Sequence, residues 1–122
     1  MSLAASAKRS VLLQLARDSI QEVLEAKNSI NKSSLLKEHP LLTQAIPTTI
    51  NLYIDNELRG HSKSLTEPSS LIDEIIINAK KAAFEDTDFL AISTSEYLSC
   101  EIEIILETPD GIISEKDPAI LQ

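Results

Sequence analysis

The chain predicts an α+β domain, an antiparallel β-sheet built from hairpins with helices packed on it. Three observations carry this. Two segments, 4–27 and 66–84, repeat apolar residues at three- and four-residue spacing. Two others, Thr48–Ile54 and Leu98–Leu106, alternate apolar with polar or charged residues. Each alternating segment runs into turn residues and then into further apolar positions, the order of a hairpin. Strand-helix-strand crossovers are too few for a doubly wound sheet.

Taken in order, residues 4–27 form one amphipathic helix. Val11, Leu12, Leu15, Ala16, Ile20, Val23 and Leu24 line its apolar side, and Arg9, Gln14, Arg17, Asp18, Gln21 and Glu22 fall mainly between them. Met1-Ser2-Leu3 reads as partly an expression remnant. Segment 28–47 loses periodicity and is rich in Asn, Ser and Pro, so it is a connector with a short helical turn near Leu35–Leu42. The rest, 48–122, is a hairpin-helix-hairpin core, and the whole is a single domain.

In Thr48–Ile54 the residues Ile50, Leu52 and Ile54 share one face, and Thr49, Asn51 and Tyr53 the other. A second strand runs from Leu58 to about Ser62. A three-residue loop, Asp55-Asn56-Glu57, places Leu58 opposite Ile54 and Gly60 opposite Leu52, keeping the apolar residues together; a two-residue loop would put Leu58 opposite Tyr53. In the preferred register Arg59 faces Tyr53, His61 faces Asn51, and all four point away from the core.

Thr66–Ser70 starts the next helix, with Pro68 in its first turn and Asp73 and Glu74 at the positive end of the dipole. Its buried stripe is Leu71, Ile72, Ile75, Ile76, Ala79 and Ala83. Glu85-Asp86-Thr87-Asp88 ends it, and Ser93-Thr94-Ser95-Glu96 caps a helical turn. In Leu98–Leu106 the residues Cys100, Ile102, Ile104 and Leu106 face inward. Thr108-Pro109-Asp110-Gly111 is a type I turn signature, after which Ile112-Ile113 pairs back as a short last strand.

Composition excludes several function classes. The net charge is −8 and the basic residues are scattered, which disfavours nucleic acid and anionic membrane surfaces. No apolar run reaches the roughly 20 residues of a membrane span. Cys100 is the only cysteine, so no internal disulfide forms, which fits a reducing, cytoplasmic setting. With Gly60 and Gly111 the only glycines, there is no phosphate-binding loop. His39 and His61 are the only histidines, and no Cys/His cluster has zinc spacing. No cofactor and no metal site are expected; Glu85-Asp86-Thr87-Asp88 lacks the glycine and spacing of a calcium loop.

Few chemically capable side chains remain. His61 titrates near neutrality and suits a general base or ligand, although no acid or nucleophile partner is identifiable in sequence. Arg59 suits a carboxylate or phosphate clamp, but reads first as a stem lying over Tyr53 with its head in water. Cys100, on an apolar face, reads as a buried inert thiol. Glu101 and Glu103 read as a solvated sheet surface. The candidate binding surface is therefore Tyr53, Arg59, Gly60 and His61, with no catalytic residue assigned.

The order Leu12-Leu13-Gln14-Leu15-Ala16-Arg17, Thr49-Ile50-Asn51-Leu52, Leu58-Arg59-Gly60, Ala82-Ala83-Phe84-Glu85-Asp86, Phe89 and Leu98–Leu106 with Thr108-Pro109 resembles the AMMECR family over most of residues 10–109. The family pattern at the hairpin is Leu-Arg-Gly-Cys-Ile-Gly; here His61 replaces the Cys, and Ser62 and Lys63 replace Ile-Gly. The family's Asp-Pro-Arg-Phe reads Asp86-Thr87-Asp88-Phe89. The resemblance implies an AMMECR-like α+β domain with much of the C-terminal lobe missing. It also implies no established reaction and an association with Memo-like and radical-SAM proteins. The expected role is a non-catalytic binding or adaptor module working with a protein partner, with a homodimer as a further option. The competing reading is an enzyme or enzyme subunit of that modification pathway, in which Arg59 binds an anion and His61 transfers a proton.

Overall fold

The computed structural model describes residues 9–65 and 67–121. Residues 4–8 of the expected first helix, the Met1-Ser2-Leu3 segment and Thr66 lie outside the described residues. The elements are α1 (Val11–Glu25), α2 (Lys32–Glu38), a 3₁₀ turn (Pro40–Thr43), β1 (Thr48–Ile54), β2 (Glu57–Lys63), α3 (Leu71–Phe84), α4 (Thr94–Leu98), β3 (Glu101–Thr108) and β4 (Gly111–Asp117). The strands make one antiparallel sheet in the order β2-β1-β3-β4. α3 packs across β1 and β2, α1 lies toward β3 and β4, and the two helices pack against each other. The α+β class and the two hairpins are as the sequence predicts.

The core is aliphatic. Leu15, Ala16 and Ile20 of α1 and Leu71, Ile75 and Ala79 of α3 pack with Ile50, Leu52, Ile102 and Ile104 of the sheet. Tyr97 is the one aromatic residue in the buried set. Several boundaries differ from expectation, each for a local reason. α1 begins at Val11 because Ser10 is extended and its hydroxyl accepts the Leu13 N–H. It ends where Ala26 adopts φ 53°. The connector holds a full helix, α2, capped by the Asn31 side chain on the Ser34 N–H. α3 starts at Leu71, so Pro68 precedes it and is not in its first turn. Leu98 closes α4 and is not a strand residue; Ser93 and Glu96 form the reciprocal capping box that starts this helix. β4 is seven residues long, well beyond Ile112-Ile113.

Two polar groups sit where sequence reading placed the solvent or an apolar stripe. Arg17, assigned to the polar side of α1, is 1% exposed. It lies four residues after Leu13 and three before Ile20, within the buried stripe, and it finds partners there. Its Nε donates to Asp117 Oδ2 at 2.7 Å, and its Nη2 donates to the carbonyls of Cys100 (2.9 Å) and Pro118 (3.0 Å). The guanidinium also stands 5.2 Å from the Tyr97 ring centre. Arg9 adds a second cation on Asp117. One buried cation thus ties α1 to the far ends of β4 and α4. In α3, Glu74 and Asn78 are buried. Glu74 accepts from Ser64 Oγ, the Ser69 N–H and Asn78 Nδ2, so the carboxylate is satisfied by neutral donors.

The β1–β2 hairpin corrects the predicted register. Asp55 and Asn56 have φ of 52° and 65°, the pair of positive values that a two-residue type I′ turn requires. Leu58 is therefore opposite Tyr53, not Ile54, and is 41% exposed instead of joining the core. A bulge then absorbs Arg59, which has no partner on β1, and from Gly60 onward the register is the expected one: Gly60 opposite Leu52 and His61 opposite Asn51. The turn keeps the tight geometry that matches strand twist, and the bulge restores the apolar alignment one residue later.

Candidate functional site

The bulge decides what each predicted site residue does. Asn51 and Tyr53 remain on the outer face of the sheet and both donate to Glu103 Oε1, at 3.0 Å each. Lys116 covers the Tyr53 ring at 4.8 Å. Burial, then the Glu103 carboxylate, push the Tyr53 phenol up from its ordinary value. Glu101 and Glu103 are thus only half-exposed, and Glu103 organises the face.

Arg59 does not lie opposite Tyr53. Released by the bulge, it reaches α4 and forms a fork with Glu96, Nε to Oε2 at 2.9 Å and Nη2 to Oε1 at 3.1 Å. Its guanidinium stands 5.8 Å from the Phe89 ring centre. Hydrogen bonding from Arg59, then from the Ser93 N–H, holds the Glu96 carboxyl below its ordinary value. Glu96 is also the capping-box residue of α4, so Arg59 anchors that helix to the hairpin.

Gly60 is buried against α3. A Cβ there would fall 2.2 Å from the Ala82 carbonyl oxygen, so only a glycine lets the helix backbone come this close. That contact brings the residues just after α3 to the outer edge of β2. Asp86 Oδ2 accepts the His61 N–H at 2.8 Å and lies 2.9 Å from His61 Nδ1, while Asp86 Oδ1 accepts the Asp88 N–H at 2.8 Å. The Asp86 carboxyl is held below its ordinary value: burial acts to raise it, and the hydrogen bonds from Asp88 and His61 outweigh burial. His61 itself is half-exposed. The sequence missed the His61–Asp86 pairing because 25 residues separate the two; the helix-terminating run Glu85–Asp88, following a helix that must pack on a glycine, was the available signal.

Cys100 is fully buried and burial pushes its thiol up to about 11, with Arg17 pulling weakly the other way. We expect Cys100 in the native protein to resist a thiol reagent such as dithionitrobenzoate at neutral pH and to react stoichiometrically once denatured. Rapid labelling without denaturant would contradict this. His39 follows α2, with its Nε2 4.0 Å from Glu38 Oε2, and lines an open groove of about 300 Å³ that also involves Arg9, Asp18 and Glu38. Among the described residues no helix is long and apolar enough to cross a membrane.

The model of the AMMECR1 family matches residues 13–119 of the chain. The crystal structure of an uncharacterised protein from Pyrococcus horikoshii superposes with a TM-score of 0.70 at 25% sequence identity, over 80% of this chain and 50% of that one. The chain therefore spans about half the length of the solved structure it matches. No curated protein matches it.

Proposed function

The chain belongs to the AMMECR1 family, and from that premise we propose that it is a non-catalytic binding module that works with a protein partner. The observation that carries this reading is the use made of Arg59. An enzyme that clamps an anionic substrate needs that guanidinium free, whereas its Nε–Nη2 edge is spent on Glu96. The one thiol is buried, and the two histidines stand on separate elements without a nucleophile beside them.

The surface offered to a partner is the β2 edge with the loop that follows α3. His61 is half-exposed there. Leu58 on the hairpin and Leu90 on the loop present large apolar side chains, 41% and 87% exposed. Such exposed apolar groups beside polar ones suit a protein contact. Arg59→Glu is a poor probe of this surface because it would break the anchor of α4. His61→Ala and Leu90→Asp change the surface without touching that anchor. Each should reduce recovery of the same cross-linked partner from cell extract by about tenfold or more, as removal of an interface hot spot does, while circular dichroism shows both variants folded and Leu90→Asp keeps the wild-type unfolding midpoint. Unchanged recovery with both variants would remove this surface from consideration.

A further inference from the structure

The geometry points to a divalent metal site at the edge of the sheet, formed by His61 of β2 and by Asp86 and Asp88 of the loop after α3, for a borderline ion of the zinc type. One ligand atom from each of these residues lies within 4.8 Å of the others. His61 Nδ1 and Asp86 Oδ2 are 2.9 Å apart. Two neighbouring ligands on one ion, with metal–ligand bonds of about 2.1 Å, sit about 3.0 Å apart in octahedral and about 3.4 Å apart in tetrahedral coordination. The first two donors are therefore within about half an ångström of coordination spacing. Asp88 is exposed and can complete the set by side-chain rotation.

A second observation concerns charge. The Asp86 side chain is 3% exposed. Asp117 faces Arg9 and Arg17, Glu22 faces Lys80, and Glu96 faces Arg59. Asp86 is the most buried side chain of these four carboxylates, and among the described residues its only ionic partner is a histidine. Its charge is met only by the N–H groups of His61 and Asp88 and by the imidazole, with no permanent cation beside it. A divalent ion between His61 Nδ1 and Asp86 Oδ2 would supply that cation. One imidazole nitrogen with two carboxylates favours a borderline ion over calcium or magnesium, which prefer all-oxygen sets. Three protein ligands leave the remaining positions to water on the exposed side of His61. This assignment stands apart from the partner reading, because it needs no second protein.

The test is a titration of the chelator-treated, full-length protein with zinc chloride by calorimetry, paired with ¹⁵N shifts of the imidazoles. One ion per chain and a shift at His61 Nδ1 are expected. Affinity should fall about tenfold or more in Asp88→Asn and be lost in His61→Ala, with His39→Ala unchanged. Asp88 and His61 are exposed, so these variants are expected to fold, and their circular dichroism checks it. No binding at millimolar zinc, or binding equal in wild type and His61→Ala, would overturn the assignment.

Discussion

Arg17→Leu lowers the stability of the domain by about 3–5 kcal/mol, the cost of removing one partner from a buried ion pair. Leucine keeps most of the apolar stem, so the loss is that of the guanidinium. Its removal leaves the carbonyls of Cys100 and Pro118 without the donor that holds them at 2.9 and 3.0 Å. It also leaves Asp117, 5% exposed, with Arg9 as its sole cation among the described residues. Typical domains are stable by about 5–15 kcal/mol, so this single change consumes a large share. The measurement is the urea midpoint of unfolding at constant m-value. A shift equivalent to less than about 1 kcal/mol would show that the pair adds little beyond an apolar core.

Gly60→Ala is the second large effect. The obstacle is the Ala82 carbonyl, which belongs to the α3 backbone and cannot rotate away as a side chain would. The methyl group forces α3 off β2 or bends the strand, at about 1–3 kcal/mol for an overpacked site. Because the contact lies next to Asp86, the displacement also lengthens the His61–Asp86 pairing. The unfolding midpoint should fall, and the His61 amide, whose N–H is held by Asp86, should exchange faster with solvent. An unchanged midpoint would mean that the helix end yields freely.

What the sequence made legible follows from range. Alternation in Thr48–Ile54 and in Cys100–Leu106, and the helical stripe of α3, are local patterns, and the sheet and helices they predict are present. The hairpin tip was harder. Apolar matching favoured a three-residue loop, yet Asp55-Asn56 accepts two positive φ values and the chain corrects its alignment with a bulge at Arg59. Matching of side chains alone does not register a residue that pairs with nothing. Arg17 reads as a polar-face residue because its distant partner, one hundred residues on at Asp117, is not visible in a local stripe. The same holds for Arg59 with Glu96 and His61 with Asp86. The strand pattern marks Gly60 as a fold residue, but not the helix carbonyl that requires it.

The two outer strands of the sheet are finished differently, and this gives the domain a polarity. β2 is interrupted by its bulge, and the outward N–H of His61 is already taken by Asp86; both features discourage a further strand from adding there. β4 pairs with β3 without interruption from Gly111 to Asp117, contains no proline, and leaves Ile112 and Ile113 exposed, at 74% and 51%. Among the described residues, strand addition therefore has one open direction. A β-ribbon, whether from another molecule or from a misfolded copy, can lengthen this sheet beside β4 and is turned away beside β2, so ordered growth starting from the folded domain would be terminated after one step unless the added strand brings an open edge of its own.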